Sequence, residues 1–236
     1  MEKIESLVRS ALQTYNMIEE NDVIAVGISG GKDSLVLLAA LANIRKYYPV
    51  RFEIKAITAD YRFGGENGDF SQISEMCRRL NVKYTVVETQ LGRIIFEDRK
   101  EKNPCSLCAK MRRGILHKAA KSLGCNKIAF AHHFDDAIET FMMNLLDTGS
   151  LSCFSPVTYL SRSDITLIRP LIFCDERHIE NVCKRLNLPV SKSKCPVDKT
   201  TERQKIKNLI LALQKDYPDI RQKLMGAVKR SGLNGW

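Results

Sequence analysis

From Asp22 onward, short runs of apolar residues alternate with longer stretches in which apolar positions recur every third or fourth residue. The short runs predict strands over Val23–Ser29, Phe52–Asp60, Lys83–Glu88 and Lys127–His132, with a weaker one around Ile165–Ile168. The periodic stretches predict helices near Asp33–Arg45, Asp69–Leu80, Ser106–Leu123 and Asp135–Leu146, then near Asp175–Leu186, Thr201–Lys215 and Asp219–Arg230. Ahead of them Met1–Glu20 reads as an amphipathic helix, with Ile4, Leu7, Val8, Ala11, Leu12 and Tyr15 on one stripe. Such alternation predicts an α/β fold: a parallel sheet, helices on both faces, right-handed crossovers. Ligands of such sheets bind at the carboxyl ends of the strands, where Ser29, Asp60 and His132 would converge. Loops at Arg62–Gly68 and Gln90–Pro104 border that crevice. The expected organisation is a helix over residues 1–20, an α/β domain over 21–171, and a helical extension over 172–236 packed on the same body.

Between the first predicted strand and its helix lies Ser29-Gly30-Gly31-Lys32-Asp33-Ser34. Two adjacent glycines let backbone approach an anion without Cβ obstruction, and the open N–H groups of a helix start favour negative charge. The spacing is neither G-x-x-x-x-G-K-[ST] nor G-x-G-x-x-G. The plainer reading is a Gly-rich turn capped by Ser34 or Asp33. The order S-G-G-x-D-S resembles the pyrophosphatase loop (PP-loop) of enzymes that cleave ATP between its α and β phosphates to adenylate a substrate.

Charge and cysteine content extend the picture. With 37 Lys and Arg against 27 Asp and Glu, the chain carries a formal charge of +10, which points to a polyanionic partner over a merely solvated basic surface. The cations gather around Arg93, Arg99, Lys100 and Lys102, around Lys110, Arg112 and Arg113, and around Arg203, Lys205 and Lys207. Eight cysteines without a signal peptide or apolar span place the chain in a reducing cytoplasm, away from membranes, where paired cysteines hold metal or do redox chemistry. Cys105 and Cys108 open a predicted helix beside several cations, a setting that favours thiolates. Cys195, in a polar turn before a basic helix, is the best third partner. Three thiolates suit a [4Fe–4S] cluster with one iron open, a three-cysteine zinc site, or a persulfide-carrying thiol with a resolving partner. Cys77, Cys125, Cys153, Cys174 and Cys183 stand singly and read as small core residues, Cys153 least clearly.

Taken together, several segments resemble the bacterial tRNA 2-thiocytidine synthetases, a family of PP-loop tRNA thiolation enzymes, over about Val23–Ile210. They are Ser29–Ser34; Cys105-Ser-Leu-Cys108 followed by Arg112-Arg113-Gly114; His132-His133-Phe134-Asp135-Asp136 followed by Glu139-Thr140; Ile168-Arg169-Pro170-Leu171; and Cys195 ahead of Arg203-Gln204. Lys192 stands where the family often carries a further cysteine, and Ala131 where a glycine commonly precedes the paired histidines. The resemblance implies a Rossmann-like, adenine nucleotide alpha hydrolase-like fold. It also implies ATP phosphates with Mg2+ on Ser29–Ser34, adenine against Thr58, Ala59 and Asp60, and phosphate or metal contacts from His132, His133 and Asp135. Asp136 and Arg112 would serve catalysis. Cys105, Cys108 and Cys195 would hold a [4Fe–4S] cluster, zinc being the alternative. ATP would adenylate a pyrimidine C2 oxygen, and sulfur from sulfide or a cysteine-desulfurase-type donor would displace AMP. Arg93, Arg99, Lys100, Lys102, Arg113, Arg203, Lys205 and Lys207 would grip tRNA phosphates, giving affinity more than sequence readout; a homodimer is the family pattern. Two rivals predict different products: a lysidine-type amide ligase with a zinc site would lack acid-labile sulfide, and a cluster-bearing nucleic-acid sensor would release no pyrophosphate.

Overall fold

The computed structural model describes residues 1–99, 104–191 and 202–236. Helix α1 (Glu2–Thr14) leads into β1 (Asp22–Gly27), α2 (Lys32–Ile44), β2 (Phe52–Asp60), α3 (Ser71–Arg79) and β3 (Lys83–Glu88). A short α4 (Leu91–Arg93), continued by a π turn over Ile94–Asp98, precedes α5 (Pro104–Ser122), β4 (Lys127–Ala129) and α6 (Phe134–Thr148). Then come β5 (Val157–Leu160), β6 (Ile165–Ile168), α7 (Glu176–Arg185), α8 (Glu202–Asp216) and α9 (Ile220–Arg230). The six strands lie in the order β3-β2-β1-β4-β6-β5, parallel except for β5, which pairs antiparallel with β6. The strand order reverses between β1 and β4, so the crevice at their carboxyl ends is where a doubly wound sheet binds its ligand.

Alternate residues of the central strands feed opposite cores, as the two-residue period requires. Ile24 and Val26 face the core built by α1, α2, α3 and α7, whereas Ala25, Ile57 and Ile128 face the one under α5, with Leu116 and Ala120. Helix α2 is buried from Ser34 to Ala42 and again at Ile44, apolar on every side because sheet, α1 and α7 enclose it. A third core, with Ala137, Phe141 and Met142 of α6, Ile206 and Ile210 of α8, and Met225 and Val228 of α9, holds the last two helices on α6. The C-terminal third thus splits, α7 joining the sheet's core and α8 and α9 seated on α6.

The structure departs from these expectations at five elements. Strand β1 stops at Gly27 because Ser29 N–H turns from the sheet to Ser34 Oγ, and β4 stops at Ala129, freeing Ala131–His133 for the crevice. Helix α1 stops at Thr14: Asn16 takes a left-handed φ of 46°, and Met17 and Ile18 fold back into the core. The charged stretch after Gln90 is helical through Asp98, with Leu91 and Ile95 buried. Strand β5 was not foreseen, since four half-exposed residues between Pro156 and a turn carry too little pattern.

Candidate active site

The loop after β1 is built by its own hydroxyls. Ser34 Oγ accepts from Ser29 N at 3.2 Å and donates to Gly31 O at 2.9 Å, while Ser29 Oγ accepts from Gly31 N at 3.3 Å. Gly30 sits at φ +82°, and a Cβ there would lie 2.0 Å from Ser191 Oγ, whose backbone N–H donates to Gly30 O at 3.0 Å. Only glycine satisfies both demands. Helix α2 is capped by Gly31, with no side-chain cap, so neither Ser34 nor Asp33 plays the capping part that the plainer reading gave them. Its first-turn N–H groups therefore lack a side-chain partner at the N-cap, the arrangement that binds anions. Lys32 Nζ reaches Asp33 Oδ2 at 3.2 Å and Glu176 Oε1 at 3.1 Å. Burial works against the Lys32 charge, but the two carboxylates outweigh it and raise its pKa. Asp33 Oδ1 is buried and, among the described residues, makes no hydrogen bond, its one charged neighbour at ion-pair distance being the Lys32 ammonium at 3.1 Å, with the His133 ring at 3.9 Å.

At the end of β2 the side chains serve the scaffold. Thr58 Oγ1 donates to Ile28 O at 3.0 Å and accepts from Tyr84 Oη at 2.9 Å, while Ala59 is buried in the α5-side core. The Asp60 carboxylate takes the N–H groups of Arg62 (3.1 Å) and Gly68 (3.0 Å), closing the loop beyond it, and Thr89 occupies its carbonyl at 2.6 Å.

Opposite the glycine loop, α6 begins with a capping box. His133 is the N-cap: its Nδ1 accepts from Asp136 N at 3.4 Å, and Asp136 Oδ2 accepts from His133 N at 3.0 Å. The Asp135 carboxylate binds Glu176 N at 2.7 Å and pairs with Arg221, tying α6 to α7 and α9. Asp136 Oδ1 also pairs with Arg203 Nη1 at 2.8 Å. The buried ring of His133 turns Nε2 toward Asp33 Oδ1 (3.9 Å) and Asp136 Oδ2 (3.5 Å), which joins the two helix starts. His132 stacks near Phe154 at 5.1 Å and accepts at Nδ1 from Arg169 Nε at 3.3 Å. Burial, reinforced by the Arg169 charge, pushes the His132 pKa down to about 3, so it is neutral at working pH.

The basic residues separate into two groups. Arg203, expected to grip RNA, instead bonds Asp136, Glu139 (3.3 Å) and Thr140 (3.2 Å), and Lys207 pairs with Glu176. Lys205 and Arg93 are exposed, paired with their neighbours Glu202 and Asp98, and Arg99 and Arg113 are also exposed. Lys100, Lys102 and Cys195 lie outside the described residues, as does the side chain of Cys105. Cys108 and Arg112 are half-buried on α5, one helical turn apart.

Four contributors have no role assigned by the sequence: Arg169 and Glu139, which stand only as parts of longer motifs, and Glu176 and Ser191. Buried Arg169 donates to the carbonyl of Ser155 as well as to His132, and its signal is a lone cation ending an apolar strand. Glu139, pushed up to about 7 by burial against the pull of Arg203, lies one turn beyond Asp136. Glu176 and Ser191 carry no local signal.

Residues 3–214 match the PP-loop domain family. Among curated proteins, the tRNA-cytidine(32) 2-sulfurtransferase of Syntrophotalea carbinolica is 35% identical over 96% of this chain and 88% of its own. That of Geotalea uraniireducens is 37% identical over 96% and 90%. Among solved structures, the U34-tRNA thiolase NcsA from Methanococcus maripaludis with its [4Fe-4S] cluster superposes with a TM-score of 0.77 at 24% identity, covering 96% of this chain and 78% of that one. The NH3-dependent NAD synthetase from Campylobacter jejuni gives 0.51 at 16%, covering 100% and 96%. A glycine bend without a side-chain cap at the strand reversal, and these relatives over nearly the whole chain, agree: the chain belongs to the PP-loop family, beside its tRNA-cytidine(32) 2-sulfurtransferases.

Proposed function

We propose that the chain is an ATP-dependent tRNA sulfurtransferase that replaces the C2 oxygen of an anticodon-loop cytidine with sulfur, as its curated relatives are named for doing at cytidine 32. The observation that carries this reading is the Gly30–Gly31 bend opening α2 without a side-chain cap, set across the strand reversal from His133 and Asp136. A pyrimidine C2 oxygen is a poor leaving group. Attack of that oxygen on the α phosphate of ATP expels pyrophosphate and makes an adenylate, from which a sulfur nucleophile displaces AMP. Ser29–Ser34 would receive the phosphates through backbone N–H groups and the Lys32 ammonium. Asp33 Oδ1, buried and without a hydrogen bond, suits a hard cation, and with Asp136 it would hold Mg2+ against the leaving pyrophosphate. Among the described residues no three His, Cys, Asp or Glu side chains form a metal site on their own.

Cys105 and Cys108 stand three residues apart in the sequence at the start of α5, and a Cys-x-x-Cys joined by a third cysteine, Cys195, is a donor set for a [4Fe–4S] cluster. Bound there, the cluster would supply an iron position open to sulfide. Arg112, one turn beyond Cys108, would face the adenylate charge. Exposed Arg93, Arg99, Arg113 and Lys205 would meet RNA phosphates, a task that Arg203 and Lys207 give up. Sulfide or a cysteine-desulfurase-type protein as donor, and a homodimer, belong to the same proposal. Among the described residues no helix is long and apolar enough to cross a membrane.

The test is ATP-dependent transfer of labelled sulfide into tRNA by anaerobically reconstituted protein, followed by nucleoside mass spectrometry, with Cys195→Ala in parallel. Label in 2-thiocytidine, lost in the variant, is the expected result. Pyrophosphate release with no sulfur in the RNA would overturn the reading in favour of an amide ligase; no pyrophosphate release at all would favour a nucleic-acid sensor.

A further inference from the structure

Lysine ammonium groups have three N–H donors. On Lys32 one goes to Asp33 and one to Glu176, so a single donor is left for a phosphate. Glu176 has a second engagement: its other carboxylate oxygen accepts from Lys207 of α8, and its backbone N–H is held by Asp135 of α6 at 2.7 Å. We propose that Glu176 is a positioning residue for nucleotide use, bridging Lys32 of the phosphate loop and Lys207 of α8 so that ATP binding and the seating of α8 form one linked equilibrium. This rests on reading Ser29–Ser34 as the ATP phosphate loop.

Three features carry the inference. The first is charge balance. Lys32 beside Asp33 and Glu176 would present net negative charge to an incoming triphosphate, and Lys207 restores neutrality. The carboxylate is ionised at any working pH: burial opposes its charge, but Lys207 and Lys32 hold its pKa at about 2. The second is orientation. Lysine loses much rotamer entropy when fixed, and two carboxylates placing Nζ before the nucleotide arrives remove that cost from binding. The third is helix geometry. Arg203 and Lys207 are four residues apart, hence on one face of α8; one reaches the first turn of α6 and the other the first turn of α7, and both turns flank the loop. Coupling between sites is reciprocal, so whatever orders Lys32 must also bear on α8.

The full chain would be studied as wild type, Glu176→Gln and Lys207→Met, with the α,β-methylene analogue of ATP as probe. The amide exchange of residues 202–216 should slow several-fold when the analogue binds wild type and stay unchanged in both variants. Glu176→Gln should raise the KM for ATP about tenfold with little change in kcat, the loss of one charge-assisted contact. Lys207→Met removes the same bridge from a half-exposed helix position and serves if the Glu176 variant fails to fold; Lys207→Arg should restore the coupling. Analogue binding to wild type with no change in α8, or an unaltered KM in both variants, would overturn the inference alone. Failure of wild type to bind the analogue would overturn it together with the reading of the loop.

Discussion

Two helices start side by side at the carboxyl ends of the central strands, their side chains His133 and Asp33 3.9 Å apart, and they start in opposite ways. Helix α2 begins on Gly31 with no side-chain cap, whereas α6 begins on His133 with a reciprocal capping box closed by Asp136. A side-chain N-cap is worth about 1 kcal/mol over alanine but only a few tenths over glycine, so α2 forgoes a little of the stability that α6 collects. The unclosed start leaves N–H groups and a helix dipole for an anion. The closed one uses the same kind of N–H group to hold a histidine and a carboxylate in fixed orientation beside it. A site that must bind a polyphosphate and orient chemistry next to it needs one of each, and the fold places them on β1 and β4, where the strand order reverses.

Breaking the open start has the largest expected effect. Gly30→Val would need a left-handed φ and would drive its Cβ into Ser191 Oγ, so ATP-dependent pyrophosphate release should fall by at least about a hundredfold. Folding, followed by circular dichroism, should persist, because the strain is confined to the loop. Breaking the closed start comes next. Asp136→Ala removes half the capping box and a partner of Arg203, and urea titration should show a loss of about 2 kcal/mol. A third change erases the contrast: Gly31→Asp suits the extended φ of −79° and gives α2 the cap it lacks. Isothermal titration should then show ATP bound about tenfold more weakly while stability holds or rises by a few tenths of a kcal/mol. Unchanged ATP affinity would mean that the α2 start is not where the phosphates sit.

The smallest effect lies in pH dependence. Glu139 has a native pKa raised to about 7, so native protein binds the extra proton and stability falls as pH rises from the ordinary carboxylate range toward 7. His132, lowered to about 3, acts with the opposite sign: its neutral native form contributes stability that is lost as pH falls below about 6.5. Between these limits the two slopes oppose, with His117, also lowered by burial, adding to the histidine side, so wild-type stability should change less from about pH 4.5 to 6.5 than the histidines alone would make it. Glu139→Gln removes the opposing slope, and its unfolding free energy should fall with acidification over that window more steeply than that of wild type, by at most about 1.4 kcal/mol per pH unit more. A variant with the wild-type slope would argue against the raised pKa of Glu139.

Much of the molecule was legible before its coordinates. Strands β2, β3 and β6 are where the alternation predicts them, and the long helices after α1 lie within a few residues of their expected spans, since apolar periodicity records which faces a body must bury. The exceptions share a cause. Strand β5 exists by pairing with β6, the 91–98 helix by burying Leu91 and Ile95, and the early end of β1 by a hydrogen bond that leaves the sheet. Local composition records none of these partners. At the site, Ser29–Ser34 and His133–Asp136 were identified, but the tasks within the second motif changed hands: His133 caps, Asp136 closes the box, and Asp135 holds α7 and α9.

Charge shows the division most clearly. That this chain is basic, carries a glycine phosphate loop after its first strand and bears a Cys-x-x-Cys at a helix start follows from residue order, because each depends on neighbours within a few positions. Which cations are available to RNA and which are consumed inside the protein does not. Arg203 and Lys207 look like Lys205 in the sequence, yet two of the three face the first turns of α6 and α7, whose carboxylates are over thirty or sixty positions away along the chain. Residue order determines the elements and the kind of chemistry they carry; only tertiary packing decides which charges meet, because an ion pair depends on distance in space and not on separation in sequence.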